Sequence, residues 1–381
     1  MKISYFTPTS TEIKVSGARY QLWRRLGDVI SSTFALGYHE DLNGKADTPV
    51  FLLELRKAAF ARIYSADKNV SLFLGRPLRM SKRFCHFQLP GDAAVRENHA
   101  TATEQSGEYR WASDTEINYR AETRWSAICA SLKEEIIELL FDRTGPDVIE
   151  KAGALQMSAD AYWNALPARF KANEKLKDAT RSAFERDFLI SIRLNYLHIM
   201  FLLRRLILGR VSELDSSVVH VAQEMLGLVV DALVLRDELV NSGTNLAWKV
   251  AHYGLPAAGI VLLAIHGQGG AQNGTALYLP ETRAKAIQNL CVLAAEVERG
   301  TVVRSEDPNF ALLSRATQII QRFLNHIFSG EGGNQTENLV PPGQADDASL
   351  WLPQHDQDPW NLELGIWQGF VGHPSLFGLY G

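Results

Sequence analysis

Apolar residues recur at helical spacing along most of the chain. Between Ala18 and Leu36 the stripe Leu22, Trp23, Leu26, Val29, Ile30, Thr33 and Phe34 predicts one face of an amphipathic helix, and Gly37 can take a left-handed cap. Thr48 and Pro49 read as N-cap and first residue of a second helix, which carries Leu52, Leu53, Leu55, Ala59, Phe60, Ile63, Tyr64 and Val70 to Leu74. Residues 91 to 118 are polar and poorly patterned and predict a mobile loop. Helix resumes near Tyr119, breaks at Gly145-Pro146, and returns toward Trp163 and Leu166-Pro167. Further helices are predicted over about 180 to 208, 214 to 241, 245 to 265, 281 to 298 and 308 to 328. The Gly-rich HGQGGAQNG separates the last two of these stretches from those before them, and GIVLLAIH belongs to helix because its approach is Ala-rich.

The pattern therefore predicts an all-α protein, a single large domain of stacked antiparallel helices over 1–330. A flexible linker follows over 331–349, and an aromatic-rich C-terminal tail over 350–381. That tail carries Trp351, Trp360, Trp367, Phe370, Phe377 and Tyr380 among acidic residues; it either docks on the helical core or serves as a short interaction segment.

Composition narrows the function classes. At 381 residues, 46% hydrophobic and 22% charged, the chain can bury a substantial core, and a net charge of −4 gives no overall pull toward nucleic acid. MKISYFTPTSTEIK has no apolar segment of the secretory kind. The most apolar-looking run, FLISIRLNYLHIMFLLRRLIL, is interrupted by Arg193, His198, Arg204 and Arg205, so no membrane span is predicted. Cys85, Cys129 and Cys291 are far apart, which argues against a disulfide framework or a structural zinc site.

Candidate chemistry concentrates in a few places. SLFLGRPLRMSKRFCHFQLP, residues 71 to 90, reads as a helix end. Gly75 takes positive φ, Pro77 stops the helix, and Arg76 either satisfies the last carbonyls or pairs with Asp67. A phosphate-contacting patch of Arg76, Arg79, Lys82 and Arg83, or a Cys85/His86 nucleophile pair, are the alternatives. His39-Glu40-Asp41 does not converge as metal ligands do; His39 and Asp41 are expected to lock a turn through backbone hydrogen bonds. Ser191, Asn195 and His198 stand at i, i+4 and i+7 of an otherwise apolar helix, either as a hydrogen-bonded core network or as the wall of an effector pocket. Gln272 stands where a dinucleotide fingerprint needs its third Gly, and no P-loop, H-E-x-x-H or G-x-S-x-G occurs. No catalytic, cofactor-binding or metal-binding residue is assigned.

One block resembles a known family. Leu36-Gly37-Tyr38-His39-Glu40-Asp41, then Glu54-Leu55-Arg56-Lys57 through Tyr64 and Asp67 to Leu72-Phe73-Leu74-Gly75-Arg76-Pro77, and finally Leu89-Pro90, are similar in order and spacing to the fungal-specific transcription factor domain. This is the middle homology region of binuclear zinc cluster regulators. Weaker echoes are Trp163-Asn164-Ala165-Leu166-Pro167 and Tyr196 through Leu206. Ala59 stands where the family has an aromatic, and Leu206 where it has Pro.

The resemblance implies a non-enzymatic nuclear regulator of transcription, serving a pathway or gene cluster such as secondary metabolism. Gly37, His39, Asp41, Asp67, Gly75, Arg76 and Pro77 would be its structural signature. It implies partners of three kinds: the transcription machinery, a second zinc-cluster regulator in a homo- or heterodimer, and a small-molecule effector. Zinc is expected only in an upstream cluster that these residues do not contain, so the chain reads as N-terminally truncated relative to the family and would reach DNA only indirectly. The alternative is a small-molecule-binding protein or enzyme that has recruited the same helical scaffold.

Overall fold

The computed structural model describes residues 10–42, 48–91, 111–112, 114–141, 147–172, 176, 180–208, 215–240, 245–270, 280–307 and 310–329. The predicted linker and aromatic tail, and the predicted loop between 92 and 110, lie outside the described residues.

Every regular element among them is helical, as the hydrophobic pattern predicts. In chain order these are α1 (Ser10–Ala35), α2 (Val50–Leu74), α3 (Tyr119–Phe141), α4 (Val148–Asn164), α5 (Ala183–Leu208), α6 (Ser216–Val234), α7 (Leu246–Lys249), a π turn (Val250–Gly254), α8 (Leu255–Gly270), α9 (Pro280–Glu298) and α10 (Phe310–Ser329). Local chemistry sets several of their ends. Ser182 and Glu185 form a reciprocal capping box at α5, with Ser182 N–H donating to Glu185 Oε2 at 2.9 Å and Glu185 N–H to Ser182 Oγ at 3.2 Å. Asp215 caps α6 by accepting the Val218 N–H at 2.9 Å, and Asn245 caps α7 by accepting the Trp248 N–H at 2.8 Å.

Packing runs α2 on α3, α3 on α5, α5 on α6 and α6 on α8, with α4 against α3 and α5 and the pair α9–α10 closing the far side. One continuous apolar core threads α2 to α10, and α8 is buried nearly all round. A smaller core of Ile30, Phe60, Tyr64, Met80 and Ala130 seats α1. At Gly254 an added Cβ would lie 3.0 Å from Val229 Cγ1, so the glycine lets the π turn approach α6.

Several expectations are corrected. Pro49 is the N-cap of α2 rather than its first helical residue, its carbonyl accepting the Leu52 and Leu53 N–H groups at 2.9 and 3.1 Å. The α1 stripe is only half used: Ile30 and Thr33 are buried, but Leu22 and Val29 remain 38% and 47% exposed because α2 is the main helical neighbour of α1. The 91 to 118 segment is not uniformly loose, since Trp111 stands edge-on to Phe170 at 5.5 Å and under the Arg124 guanidinium at 5.2 Å. Helix also continues through His266 to Gly270, inside the stretch expected to separate helices.

Two helical segments, Ser216–Val234 and Leu246–His266, are long and apolar enough to cross a membrane, contrary to the expectation of none. Inside the molecule 61% and 94% of those windows are buried, so packing between helices already accounts for their apolarity.

Candidate functional site

Of the signature residues, Asp67 stands in a buried cluster of charges. Asp67 and Lys68 are both fully buried near the end of α2. Asp67 accepts the Arg79 N–H at 3.3 Å, the Met80 N–H at 3.0 Å and the Lys68 ammonium at 3.0 Å. Lys68 also pairs with Glu134 of α3 at 3.2 Å, donates to the Met80 carbonyl, and lies over the Tyr64 ring at 4.0 Å. Glu134 in turn accepts from the Tyr64 hydroxyl at 2.6 Å, the Ser81 hydroxyl at 2.9 Å and the Lys82 N–H at 2.9 Å. Burial opposes the Glu134 charge, yet Lys68, Tyr64, Lys82 and Ser81 together hold its carboxyl below the usual range. The result is a lock of α2, α3 and the 77–84 segment.

Gly75 begins the reversal with φ 61° and ψ 42°, and the Arg76 N–H returns to the Ser71 carbonyl at 3.0 Å. Arg76 does not pair with Asp67 as expected. Its guanidinium lies 5.4 Å from the Trp23 ring centroid, and that of Arg79 lies 4.0 Å from it, because the backbone N–H groups of Arg79 and Met80 already fill the Asp67 carboxylate. Arg79 rests against bare α1 backbone at Gly27, where an added Cβ would stand 1.6 Å from its guanidinium nitrogen.

In the turn at 37–41 Gly37 has φ 68°, as predicted, and the His39 backbone carbonyl accepts the His86 N–H at 2.8 Å. The Asp41 carboxylate accepts from Gln88 Nε2 at 3.2 Å. Both residues thus tie the turn to the distant 86–88 segment.

The basic patch has partners within the chain, at the surface for Lys82 and Arg83. Arg76 and Arg79 cover Trp23, Lys82 pairs with Glu135, and Arg83 lies 3.7 Å from Glu138. Burial pushes the Cys85 thiol up, Lys68 only partly opposing, so a reactive thiolate is not favoured there.

The polar stripe of α5 leads to a second cluster, where α2, α3, α5 and the π turn meet. Its centre is Lys133 of α3, fully buried, whose ammonium donates to Asn69 Oδ1 at 2.8 Å and Asn195 Oδ1 at 3.1 Å. Asn195 Nδ2 donates to the Ser191 carbonyl at 3.0 Å, and the Tyr253 hydroxyl approaches Asn195 Oδ1 at 3.4 Å. His198 meets His252 with ring centroids 4.5 Å apart and Tyr253 at 5.1 Å. Trp248 stacks on His252 at 4.8 Å, and Phe73 stands 5.1 Å from Trp248.

The electrostatics of this cluster follow from burial. Desolvation pushes Lys133 down to about 8, and it holds His198 and His252 well below the usual imidazole range, with the Lys133 charge acting in the same direction on both. The imidazoles are therefore neutral at pH 7, each with one N–H donor and one acceptor nitrogen. Cys129, one turn before Lys133, has its thiol pushed up to about 12 by burial. Both ring nitrogens of His252, Nδ1 of His198 and Oγ of Ser191 are buried without a hydrogen-bond partner.

The structure thus brings two of the three predicted residues, Asn195 and His198, into a ring of polar and aromatic groups, and places Ser191 one turn away. Sequence reasoning missed Lys133, His252, Tyr253 and Asn69. A signal for Lys133 was present, because it lies between Cys129 and Ile137 at i−4 and i+4 on the apolar face of its helix. Among the described residues no group of three or more His, Cys, Asp or Glu side chains is placed to hold a metal ion.

Compared with known protein families, with curated proteins and with solved structures, the chain matches none.

Proposed function

We propose that the chain is a non-enzymatic regulatory protein of the fungal-specific transcription factor type. It works in the nucleus through protein partners and a small-molecule effector. The carrying observation is the ordered block from Leu36 to Pro90, whose residues serve one structural purpose: Asp67 receives the chain that Gly75 turns back, and His39 and Asp41 bind the segment beyond it. A set of motif residues that cooperates physically supports the resemblance better than scattered identities would.

Three dispersed cysteines cannot supply the six thiolates of a binuclear zinc cluster, so in this reading these residues reach DNA indirectly, through another zinc-cluster regulator. Fusion of the whole chain to a heterologous DNA-binding domain tests the function. Reporter expression in a fungal host is expected to change, and an unchanged reporter with the fusion present in the nucleus contradicts the reading. Tight sequence-specific DNA binding by the chain alone would contradict the indirect route.

A second reading, a small-molecule-binding protein or enzyme on the same helical scaffold, is favoured by the unpartnered imidazole nitrogens beside Lys133. It predicts a ligand retained through purification, visible by native mass spectrometry.

A further inference from the structure

Four lysines are buried among the described residues, and their surroundings differ in one respect. Lys57 has Glu54 at 3.6 Å, Lys68 has Asp67 and Glu134 at 3.0 and 3.2 Å, and Lys249 has Asp187 at 2.8 Å. Lys133 has instead the two amide oxygens of Asn69 and Asn195 and the Tyr253 ring, whose centroid is 5.9 Å away, and among the described residues no carboxylate pairs with it. An ammonium taken from water into a protein interior is costly unless an anion compensates it, and a lysine has three N–H donors, of which these contacts use two. Beside it stand His198 and His252, fully buried, with three ring nitrogens between them that lack partners.

We propose that Lys133, Asn195, His198 and His252 form a binding site for the carboxylate group of a small organic acid. The carboxylate supplies the counter-ion that the other buried lysines find within the chain. It accepts the third Lys133 N–H and one N–H from each neutral imidazole, whose tautomers adjust to present it. The same lysine charge repels a metal cation, which disfavours reading the two histidines as ligands of one. The aromatic faces of Phe73, Tyr253 and Trp248 provide the apolar wall for the body of the acid. Trp248, Phe73, Asn69 and Asn195 are only half-buried. The π turn puts His252 and Tyr253 on this site, a use to which such turns are often put.

As the identity of the effector this inference rests on the regulatory reading; as a binding site it does not. The test uses the purified full chain, calorimetric titration and thermal unfolding, with sodium propionate and sodium benzoate against sodium chloride and sodium phosphate at equal ionic strength and pH 7. A saturable response to the carboxylates beyond that to chloride or phosphate is expected, the folded-to-unfolded ratio rising about 100-fold at a hundred times Kd. Lys133→Met is expected to abolish the response. His252→Phe, which keeps a ring against Trp248, is expected to weaken affinity about tenfold, the worth of one hydrogen bond to a charged group. In the native protein affinity should also fall as pH rises past about 8, where the free lysine loses its proton. Carboxylates acting no better than chloride or phosphate, or a folded Lys133→Met that still responds, would overturn the proposal. Should that variant not fold, an unchanged affinity in His252→Phe together with a flat pH dependence would overturn it instead. None of these outcomes bears on the reporter experiment, so the two readings fail separately.

Discussion

Lys133→Met makes a prediction about stability that can be worked through from the structure. In the folded protein desolvation lowers Lys133 from 10.5 to about 8. Every tenfold loss of proton affinity corresponds to about 1.4 kcal/mol, so carrying this charge costs the fold about 3 kcal/mol at pH 7. The sign follows from proton counting. Between pH 8 and 10.5 the unfolded chain holds a proton on this lysine that the folded chain has released, so stability rises with pH across that window. Below pH 8 both states are protonated and the cost is fully present. From pH 7 to pH 10 the native protein should therefore recover about 2–3 kcal/mol from this group.

Methionine cannot titrate and fills a similar volume. At pH 7 it relieves the charge cost but removes the Lys133 donor from Asn69 Oδ1, a loss of about 1–3 kcal/mol, and from Asn195 Oδ1, which keeps the Tyr253 hydroxyl, so near parity with the native protein is expected there. At pH 10 the variant should lag by about 2–3 kcal/mol, because only the native protein has improved. Urea unfolding of both proteins at pH 7, 8, 9 and 10 measures this, and groups such as Cys129 that titrate in both largely cancel in the difference. A stability difference that stays constant across this range to within about 0.5 kcal/mol would show that Lys133 titrates normally. The counter-ion argument would then lose its basis.

Two further substitutions test the signature. Asp67→Asn removes one of the two anions around Lys68 and turns an amide N–H toward the Met80 N–H, so a loss of about 3–5 kcal/mol is expected; a change of denaturation midpoint worth under about 1 kcal/mol would deny the lock its importance. Gly75→Ala places a Cβ on a residue at φ 61° and should cost about 1–2 kcal/mol with little change in m-value, whereas an unchanged urea midpoint would mean that the chain can reverse by another route.

Much of the fold was legible in the chain because helices announce themselves locally. Apolar residues at i, i+3, i+4 and i+7 and a Gly at the end of α1 and α2 act within a few residues of where they stand, and the observed helices follow them. The failures share a cause. The α1 stripe looked like a core face, but burial depends on what packs against it, and α2 is the main helical neighbour of α1. The interruptions in α5 discounted it as a spanning segment, while two other helices with fewer charges were passed over, since periodicity records composition and not neighbours.

The candidate site divides along the same line. Asn195 and His198 could be found because they break an apolar pattern within one helix, as could the reversal at Gly75. That Arg76 would turn to Trp23 and leave Asp67 to two backbone N–H groups depends on α1 meeting a segment far along the chain. So does the isolation of Lys133 depend on distant partners. Its place on an apolar face is written in the spacing of α3, but whether a buried charge has a partner is decided only by which helices are folded against it. Asn69, Asn195 and the imidazoles of His198 and His252 come from three other segments of the chain. Local propensity determined the helices of this protein; long-range packing, which sets the desolvation and company of each charge, determined which of the described buried lysines was left without an anion.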